Sequence, residues 1–119
     1  MGEGVKRGMN YSELVRVLCQ NPARTFGLDS RKGFIKAGYD ADLVLIDPKK
    51  KTQISAENMH GRCTFTPYEN YHTKGYPIIT IVRGKLAMDR GSIMAEQGTG
   101  KYTPSFSYLR KESKSARRD

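Results

Sequence analysis

The chain of 119 residues is poor in cysteine and has no long apolar run. Its two cysteines, Cys19 and Cys63, are too few for the disulfide framework of a small secreted domain. No apolar stretch approaches the roughly 20 residues that span a bilayer, and residues 1–4 lead into no secretion signal. These absences predict a reduced, cytoplasmic setting and no association with a membrane.

Length and a scarcity of histidine limit the chemistry. A chain of this length predicts one domain, and it is too short for a (β/α)8 barrel, which takes about 250 residues. His60 and Cys63 have H-x-x-C spacing and His72 lies nearby, but there is no C-x-x-C pair and no H-x-H. Because a zinc site needs three or four suitably spaced ligands, we interpret these as ordinary loop and core residues. No catalytic residue, metal ligand or cofactor-binding residue is predicted in this chain.

Positive charge is abundant: 21 Lys and Arg against 12 Asp and Glu give a net charge of +9. One basic run lies at residues 49–51, where a turn is expected. The other lies in the tail and consists of Arg110, Lys111, Lys114, Arg117 and Arg118. Such charge fits either a polyanion-binding arm or solvated loops with a disordered tail, and we favour the second interpretation.

Aromatic and basic side chains also alternate irregularly from residue 98 onward. These side chains would either bind a nucleic acid, by stacking on its bases and neutralising its phosphates, or pack against a neighbouring subunit. We favour the subunit contact. The residues concerned are Lys101, Tyr102, Phe106 and Tyr108.

An amphipathic helix is predicted over residues 11–20. Asn10 is a plausible N-cap, and Glu13 has the spacing of a capping box. The apolar residues follow the i, i+3, i+4, i+7 pattern of one helix face. That face is broad, which indicates packing against something large.

The helix is expected to stop at Asn21, because the residue before a proline disfavours α conformation. Pro22 then suits the first position of a new short helix. Gly27 suits the left-handed residue that closes it.

Several strands are predicted after a turn at Gly38. Residues 41–46 form an apolar run of the kind that is covered on both faces, and residues 47–48 end it. Residues 78–82 form a second strand, which a two-residue turn at Arg83-Gly84 connects to a partner at residues 85–88. Residues 92–94 follow a further turn as the next strand.

The segment between the first two strands is less regular. Residues 52–55 are predicted as a short strand, Ser55 as the N-cap of a short helix, and residues 68–76 as an ordered loop. We interpret Asp40, Asp42 and Asp47 as hydrogen-bonding turn amides at strand ends, rather than as a catalytic carboxylate cluster.

From residue 3 to about residue 108, the chain resembles the C-terminal part of dihydropyrimidinases and hydantoinases, within the cyclic amidohydrolases. The residues that carry the resemblance, in order, are 3–8, 21–23, 31–33, Gly38 with 40–42, 54–56, 68–70, Gly75 with Pro77, 83–84 and 98–101. Residues 98–101, Gly-Thr-Gly-Lys, favour dihydropyrimidinase-like members over dihydroorotases.

The resemblance implies an α+β fold without a complete barrel. Residues 1–28 would be the terminal helices of the barrel, residues 29–97 a partial composite β-sandwich, and residues 98–119 an extended basic arm that is partly disordered. The resemblance also implies a hydrolase that opens cyclic amides with a binuclear zinc centre, whose ligands have no counterpart here. It implies partnership with copies of the chain or with the barrel.

Three functions remain open from the sequence. The leading one is an inactive C-terminal segment of such a hydrolase. The second is a non-catalytic scaffold like the collapsin response mediator proteins, which share this pattern. The third, and least favoured, is a basic nucleic-acid-binding module.

Overall fold

The structure of the protein is a computed structural model that describes residues 2–105. Phe106, Tyr108 and the basic tail, for which contacts and disorder were predicted, lie outside the described residues. The chain begins with helix α1 (Gly2–Lys6), helix α2 (Tyr11–Val15), a π-helical segment (Arg16–Gln20) and helix α3 (Asn21–Thr25). It continues with strand β1 (Leu43–Gln53), a 3-10 turn (Ala56–Asn58), and strands β2 (His72–Val82), β3 (Lys85–Asp89) and β4 (Ser92–Ile93).

The capping box that begins α2 is confirmed. The Asn10 side chain accepts a hydrogen bond from the Glu13 amide at 2.9 Å, and the Glu13 carboxylate accepts one from the Asn10 amide at 2.9 Å. Two amides at the helix start, which have no partner within the helix, are thereby satisfied.

The predicted interruption at Asn21 is wrong, because helical conformation continues from α2 through α3. Asn21 has φ −62° and ψ −46°, and its amide donates to the carbonyl of Arg16, five residues back. A proline in an α-helix clashes with the carbonyl four residues before it. The wider turn of the π-helical segment, with its i→i−5 hydrogen bonds, accommodates Pro22 without breaking the helix.

Gly27 ends α3 in the left-handed conformation, as predicted, with φ 65°. The Leu28 amide donates to the Ala23 carbonyl at 2.7 Å, and the Gly27 amide donates to the Arg24 carbonyl at 3.1 Å. These two bonds form a Schellman motif, which satisfies carbonyls at the helix end and reverses the chain direction. The loop that follows therefore lies beside the helix it has left.

Gly33 marks the closest approach of that loop to the helix. Its φ is 87°, and a Cβ placed on it would lie 2.7 Å from the Ala23 side chain and 2.9 Å from the Cys19 carbonyl oxygen. Gly38 has the same φ of 87°, with nothing within 4 Å of a Cβ. The loop thus needs glycine at both positions, at Gly33 for space as well as conformation.

The four strands form one antiparallel sheet in the order β1-β2-β3-β4, with β1 at an edge. The predicted end of β1 at residues 47–48, and the turn at residues 49–51, are wrong because the strand runs on to Gln53. The register shifts between Asp47 and Lys51. Within this bulge the Asp47 carboxylate accepts hydrogen bonds from the Lys49 and Lys50 amides at 2.8 and 3.2 Å. Pro48 is tolerated because a bulge on an edge strand requires no ladder amide there.

Strand β2 begins at His72, so the loop prediction is wrong for residues 72–76. This part of β2 pairs with the continuation of β1, with Thr52 opposite Thr73. The short helix after Ser55 is a 3-10 turn, and the Ser55 side chain makes no capping bond. The Ala56 amide instead donates to the Glu69 carboxylate at 2.9 Å.

Both predicted tight turns in the rest of the sheet are confirmed. Arg83 and Gly84 have φ 49° and 79°, and Arg90 and Gly91 have φ 47° and 92°. Two consecutive positive φ values give the turn whose twist matches that of antiparallel strands. These turns connect β2 to β3 and β3 to β4.

Few apolar side chains are enclosed. In the described part of the chain, the buried apolar residues are Leu14, 5% exposed, and Ala23, 6% exposed. Val44 is 54% exposed and Leu45 is 44% exposed, so the prediction that this strand is covered on both faces is wrong for the chain by itself. Within residues 2–105, no helix has both the length and the apolarity to cross a bilayer.

Candidate functional site

An apolar groove of about 1120 Å³ lies between the helices and β1. The groove is lined by helix α2, the π-helical segment, helix α3, the loop after α3 and the first residues of β1. The apolar lining includes Leu14, Val15, Leu18, Phe26, Val44 and Leu45. All of these except Leu14 are more than 40% exposed, so the groove presents apolar surface that the described chain leaves uncovered.

A charged cluster contributes Lys32, Asp40 and Asp42 to the lining of the groove. Arg31 and Lys32 each form an ion pair with Asp40 at 2.9 Å, and Lys32 also pairs with Asp42. The hydrogen bonds from Lys32 and then Arg31 lower the pKa of Asp40. The predicted bond of the Asp40 carboxylate to a turn amide is wrong, since its partners are these two side chains.

Asp42 connects this cluster to the sheet. Its carboxylate accepts a hydrogen bond from the Arg83 amide at 2.8 Å, in the turn between β2 and β3. Burial raises the pKa of Asp42, but the bonds from Lys32 and from that amide outweigh it and lower the pKa. Burial likewise opposes the charge of Lys32, but its two carboxylate partners raise its pKa. Both carboxylates of the cluster are thus ion-paired with basic side chains.

Arg83 extends the connection to the start of the predicted arm. Its guanidinium donates to the Thr99 carbonyl at 3.1 Å. Gly84 contributes through its amide, which donates to the Ala41 carbonyl at 3.0 Å. The sequence-predicted motif residues at positions 42, 83 and 84 therefore meet, whereas Asp47 acts locally within the β1 bulge.

A second cluster, missed by sequence reasoning, fixes α1 to β2. The Tyr71 hydroxyl donates to the Glu3 carboxylate, and Lys6 donates to the same carboxylate at 3.1 Å. The hydrogen bond from Tyr71, followed by that from Lys6, lowers the pKa of Glu3, while the bond to Glu3 raises the pKa of Tyr71. Gly2 lies so close to β2 that a Cβ there would be 2.7 Å from the Thr73 hydroxyl. Since Glu3 and Tyr71 are 68 residues apart, no local pattern could reveal this contact.

The residues considered for metal binding do not form a site. Cys63 is a free, exposed thiol, and the His72 ring contacts the Asn70 carbonyl at 3.0 Å. Across residues 2–105, no group of three His, Cys, Asp or Glu side chains has an arrangement that could hold a metal ion. The described residues therefore do not fit a zinc centre.

The fold and the sequence together define a class of protein. The profile of the Amidohydrolase family matches residues 2–87, and the chain belongs to this family. It is 32% identical over 106 residues to the L-hydantoinase of Paenarthrobacter aurescens, covering 88% of this chain and 23% of that protein.

Other relatives extend the range of functions. A dihydroorotase of Methanothermobacter thermautotrophicus is 39% identical, covering 83% of this chain and 22% of that protein. The human dihydropyrimidinase-related protein 5 is 38% identical, covering 84% of this chain and 18% of that protein. Overall identity by itself does not separate dihydropyrimidinase-like proteins from dihydroorotases.

Solved structures show the same relationship. A D-hydantoinase structure superposes with a TM-score of 0.85 at 32% identity, covering 90% of this chain and 24% of that chain. The dihydropyrimidinase from Brevibacillus agri superposes with a TM-score of 0.84 at 30% identity, covering 87% of this chain and 23% of that chain. The chain is thus a hydantoinase-like α+β unit with an open antiparallel sheet, and it spans less than a quarter of each of these relatives.

Proposed function

We propose that this chain is a C-terminal, non-catalytic segment of a dihydropyrimidinase- or hydantoinase-like hydrolase of cyclic amide C–N bonds. In this proposal, the helices of residues 1–28 are the last helices of the catalytic barrel. Residues 29–97 are part of a composite β-sandwich, and the remainder is an arm. The function of the chain is to complete and support a barrel that carries the chemistry.

The apolar groove carries this proposal. Val15, Leu18 and Phe26 are 44%, 60% and 69% exposed on the helix side, and Val44 and Leu45 are exposed on the strand side. Apolar surface of this extent, rimmed by polar residues, marks a contact with another protein surface. Removal of apolar area from water contributes roughly 25 cal/mol per Å², so covering the groove would add to the stability provided by Leu14 and Ala23, the buried apolar residues of the described chain.

The arm supports a second contact. Arg83 holds the Thr99 carbonyl, so the residues that follow leave the sheet from a fixed point. Tyr102 is 82% exposed, which makes it available to a neighbouring copy. We therefore expect Lys101 and Tyr102 to contribute to contacts between subunits, either of this chain or of the enzyme that it completes.

The zinc-dependent chemistry belongs to the barrel of the proposed whole enzyme. Bound metal ions generate a hydroxide nucleophile near neutral pH and polarise the amide carbonyl. Residues 2–105 offer no ligand set for such ions, so no catalytic step is assigned to this chain.

Two measurements test the proposal. The purified chain should not hydrolyse dihydrouracil or hydantoin, with or without added zinc or manganese. In size-exclusion chromatography with light scattering, it should self-associate through the groove as concentration rises. Val44→Asp, in the groove, should weaken this association, and Ile93→Asp, on an equally exposed position of β4, should not.

Two outcomes would overturn the proposal. One is metal-dependent turnover by the chain alone that His60→Ala or His72→Ala abolishes. The other is a monomer at high concentration in which the amides of residues 14–18 are fully protected from exchange. The second outcome would mean that the chain is a complete domain.

A non-catalytic scaffold is the second candidate. The observation that favours it is the 38% identity to human dihydropyrimidinase-related protein 5. The two candidates differ in whether the barrel that the groove accepts has metal ligands. The upstream coding sequence therefore separates them: a barrel with the H-x-H pair and the other metal ligands would favour the enzyme, and a barrel without them would favour the scaffold.

A further inference from the structure

A two-stranded ribbon extends beyond the four-stranded part of the sheet. Strand β3 pairs with β2 only at positions 79–82, whereas β1 pairs with β2 as far as Gln53 and His72. Within the described chain, residues 47–53 and 72–77 therefore form a ribbon of two strands. Helix α1 packs on one face of it, where Gly2 meets Thr73.

The other face of this ribbon is basic. Lys51 lies directly opposite Lys74, and Gln53 lies directly opposite His72. Positions two apart on a strand share a face, so these four exposed side chains lie together. Lys49 and Lys50 lie beside them in the bulge and are also exposed. We call Lys49, Lys50, Lys51 and Lys74 the basic ribbon.

The charge of the basic ribbon is not neutralised by the fold. None of the four lysines forms an ion pair with a described residue, although six such pairs form elsewhere in residues 2–105. The nearest carboxylate in sequence, Asp47, accepts hydrogen bonds from two backbone amides. The Lys50 ammonium lies 4.2 Å from the centre of the Tyr76 ring, a contact that orients the charge without cancelling it.

Protection of a sheet edge does not explain this arrangement. Lysines on an edge strand discourage aggregation, which accounts for residues 49–51 on β1. It does not account for Lys74 on β2 directly opposite Lys51, because like charges in opposed positions destabilise a sheet. A pair of this kind becomes favourable when an anion lies across both side chains.

We propose that the basic ribbon binds the phosphate backbone of a nucleic acid without reading its base sequence. Lysines are point charges and lack the planar fork with which arginine contacts bases. Residues 49–53 extend over about 13 Å, and duplex DNA carries one negative charge per about 1.7 Å of axis. All four lysines can therefore face phosphates at once.

The surroundings favour nucleic acid over an anionic membrane. Peripheral membrane binding combines cations with apolar side chains that enter the lipid. Here the neighbours of Lys51 and Lys74 include Gln53 and His72, which are polar. The Tyr76 ring nearby lies against the Lys50 ammonium and is only partly exposed. The exposed apolar residues of β1, Val44 and Leu45, lie at the other end of the strand, in the groove.

Salt dependence tests this inference, independently of the proposed function. Binding of the full chain to a fluorescein-labelled duplex of random sequence is followed by anisotropy between about 50 and 200 mM salt. Each phosphate contact contributes about 0.9 to the slope of log K against log salt. Lys51→Gln and Lys74→Gln should therefore each reduce the slope by about 0.9, and replacement of all four lysines by about 3.6.

Lys85→Gln is the matched control, an exposed lysine on β3 outside the basic ribbon. It should leave the slope unchanged, and the basic tail, common to every variant, cancels from the comparison. Circular dichroism verifies that each variant is folded. An unchanged slope in the four-lysine variant, or an equal loss in the Lys85 variant, would overturn the proposal. Binding to phosphatidylserine vesicles without binding to the duplex would also overturn it and assign the surface to a membrane.

Discussion

The close approach of Gly33 to the helix makes a sharp prediction about stability. In Gly33→Ala, the new Cβ would lie 2.7 Å from the Ala23 side chain and 2.9 Å from the Cys19 carbonyl oxygen. Ordinary carbon contacts lie at about 3.5–4.0 Å. The helix and the loop must therefore separate, and Ala23 is one of the two buried apolar residues of the described chain.

Gly38→Ala is the matched control, because Gly33 and Gly38 share a φ of 87° and only Gly33 is crowded. The conformational cost of a left-handed alanine is about 1–2 kcal/mol at either site. Overpacking adds about 1–3 kcal/mol at Gly33 alone. We therefore expect a free energy of unfolding lower by about 1–2 kcal/mol in Gly38→Ala and by about 2–5 kcal/mol in Gly33→Ala.

Urea unfolding followed by circular dichroism measures both variants. In thermal unfolding, the two melting temperatures should differ by about 4 °C for each kcal/mol of difference in stability. Equal losses at the two glycines would refute the reasoning, since they would show that the loop does not lie against α3 at Gly33.

The remaining predictions concern the cap, the charged cluster and the groove. Asn10→Ala removes the capping box and should lower the free energy of unfolding by about 1 kcal/mol, whereas Ser55→Ala should change little because Ser55 makes no capping bond. Because the pKa of Asp42 is lowered in the folded chain, the ionised Asp42 carboxylate should stabilise the fold at pH values above the ordinary pKa of an aspartate, about 4. This stabilisation is lost as the pH falls through the pKa of Asp42 in the folded chain. Asp42→Asn should therefore make the free energy of unfolding, measured by urea titration, fall less at acid pH. Because the pKa of Lys32 is raised in the folded chain, the free energy of unfolding should also fall as the pH rises through that pKa. Lys32→Met should reduce this fall at alkaline pH. Val44→Asp, at a half-exposed position, should change the melting temperature of the dilute chain only slightly while weakening its association.

Local chemistry made part of the fold predictable. The capping box at Asn10, the left-handed Gly27 and the turn at Arg83-Gly84 each follow from residues adjacent in sequence. Their geometry depends on one or two side chains and on glycine conformation, so tertiary contacts do not override it. The helix around Pro22 was harder to predict, since the rule for the residue before a proline assumes α-helical hydrogen bonding.

Long-range pairing explains the other errors. Pro48 and the lysines after it are typical of a turn, yet β1 continues because the opposite half of β2 supplies a partner strand. The exposure of Val44 could not be inferred from an apolar run, which indicates burial without saying in which chain the covering surface lies. The contacts of Asp40 and of Glu3 connect segments whose proximity only the folded chain establishes.

The π-helical segment has a consequence for insertions and deletions. Residues eight apart share an α-helix face, but Leu14 and Ala23 are nine apart and both are buried. The wide turn absorbs the extra residue and keeps them on one side. Deleting one residue from positions 16–20 would restore α-helical spacing, but Pro22 would then clash with the carbonyl of the residue four positions before it. Replacing Pro22 alone would remove the cause of that clash and leave the extra residue in the helix. The two changes are neutral only together, so the proline and the extra residue should be gained or lost as a pair.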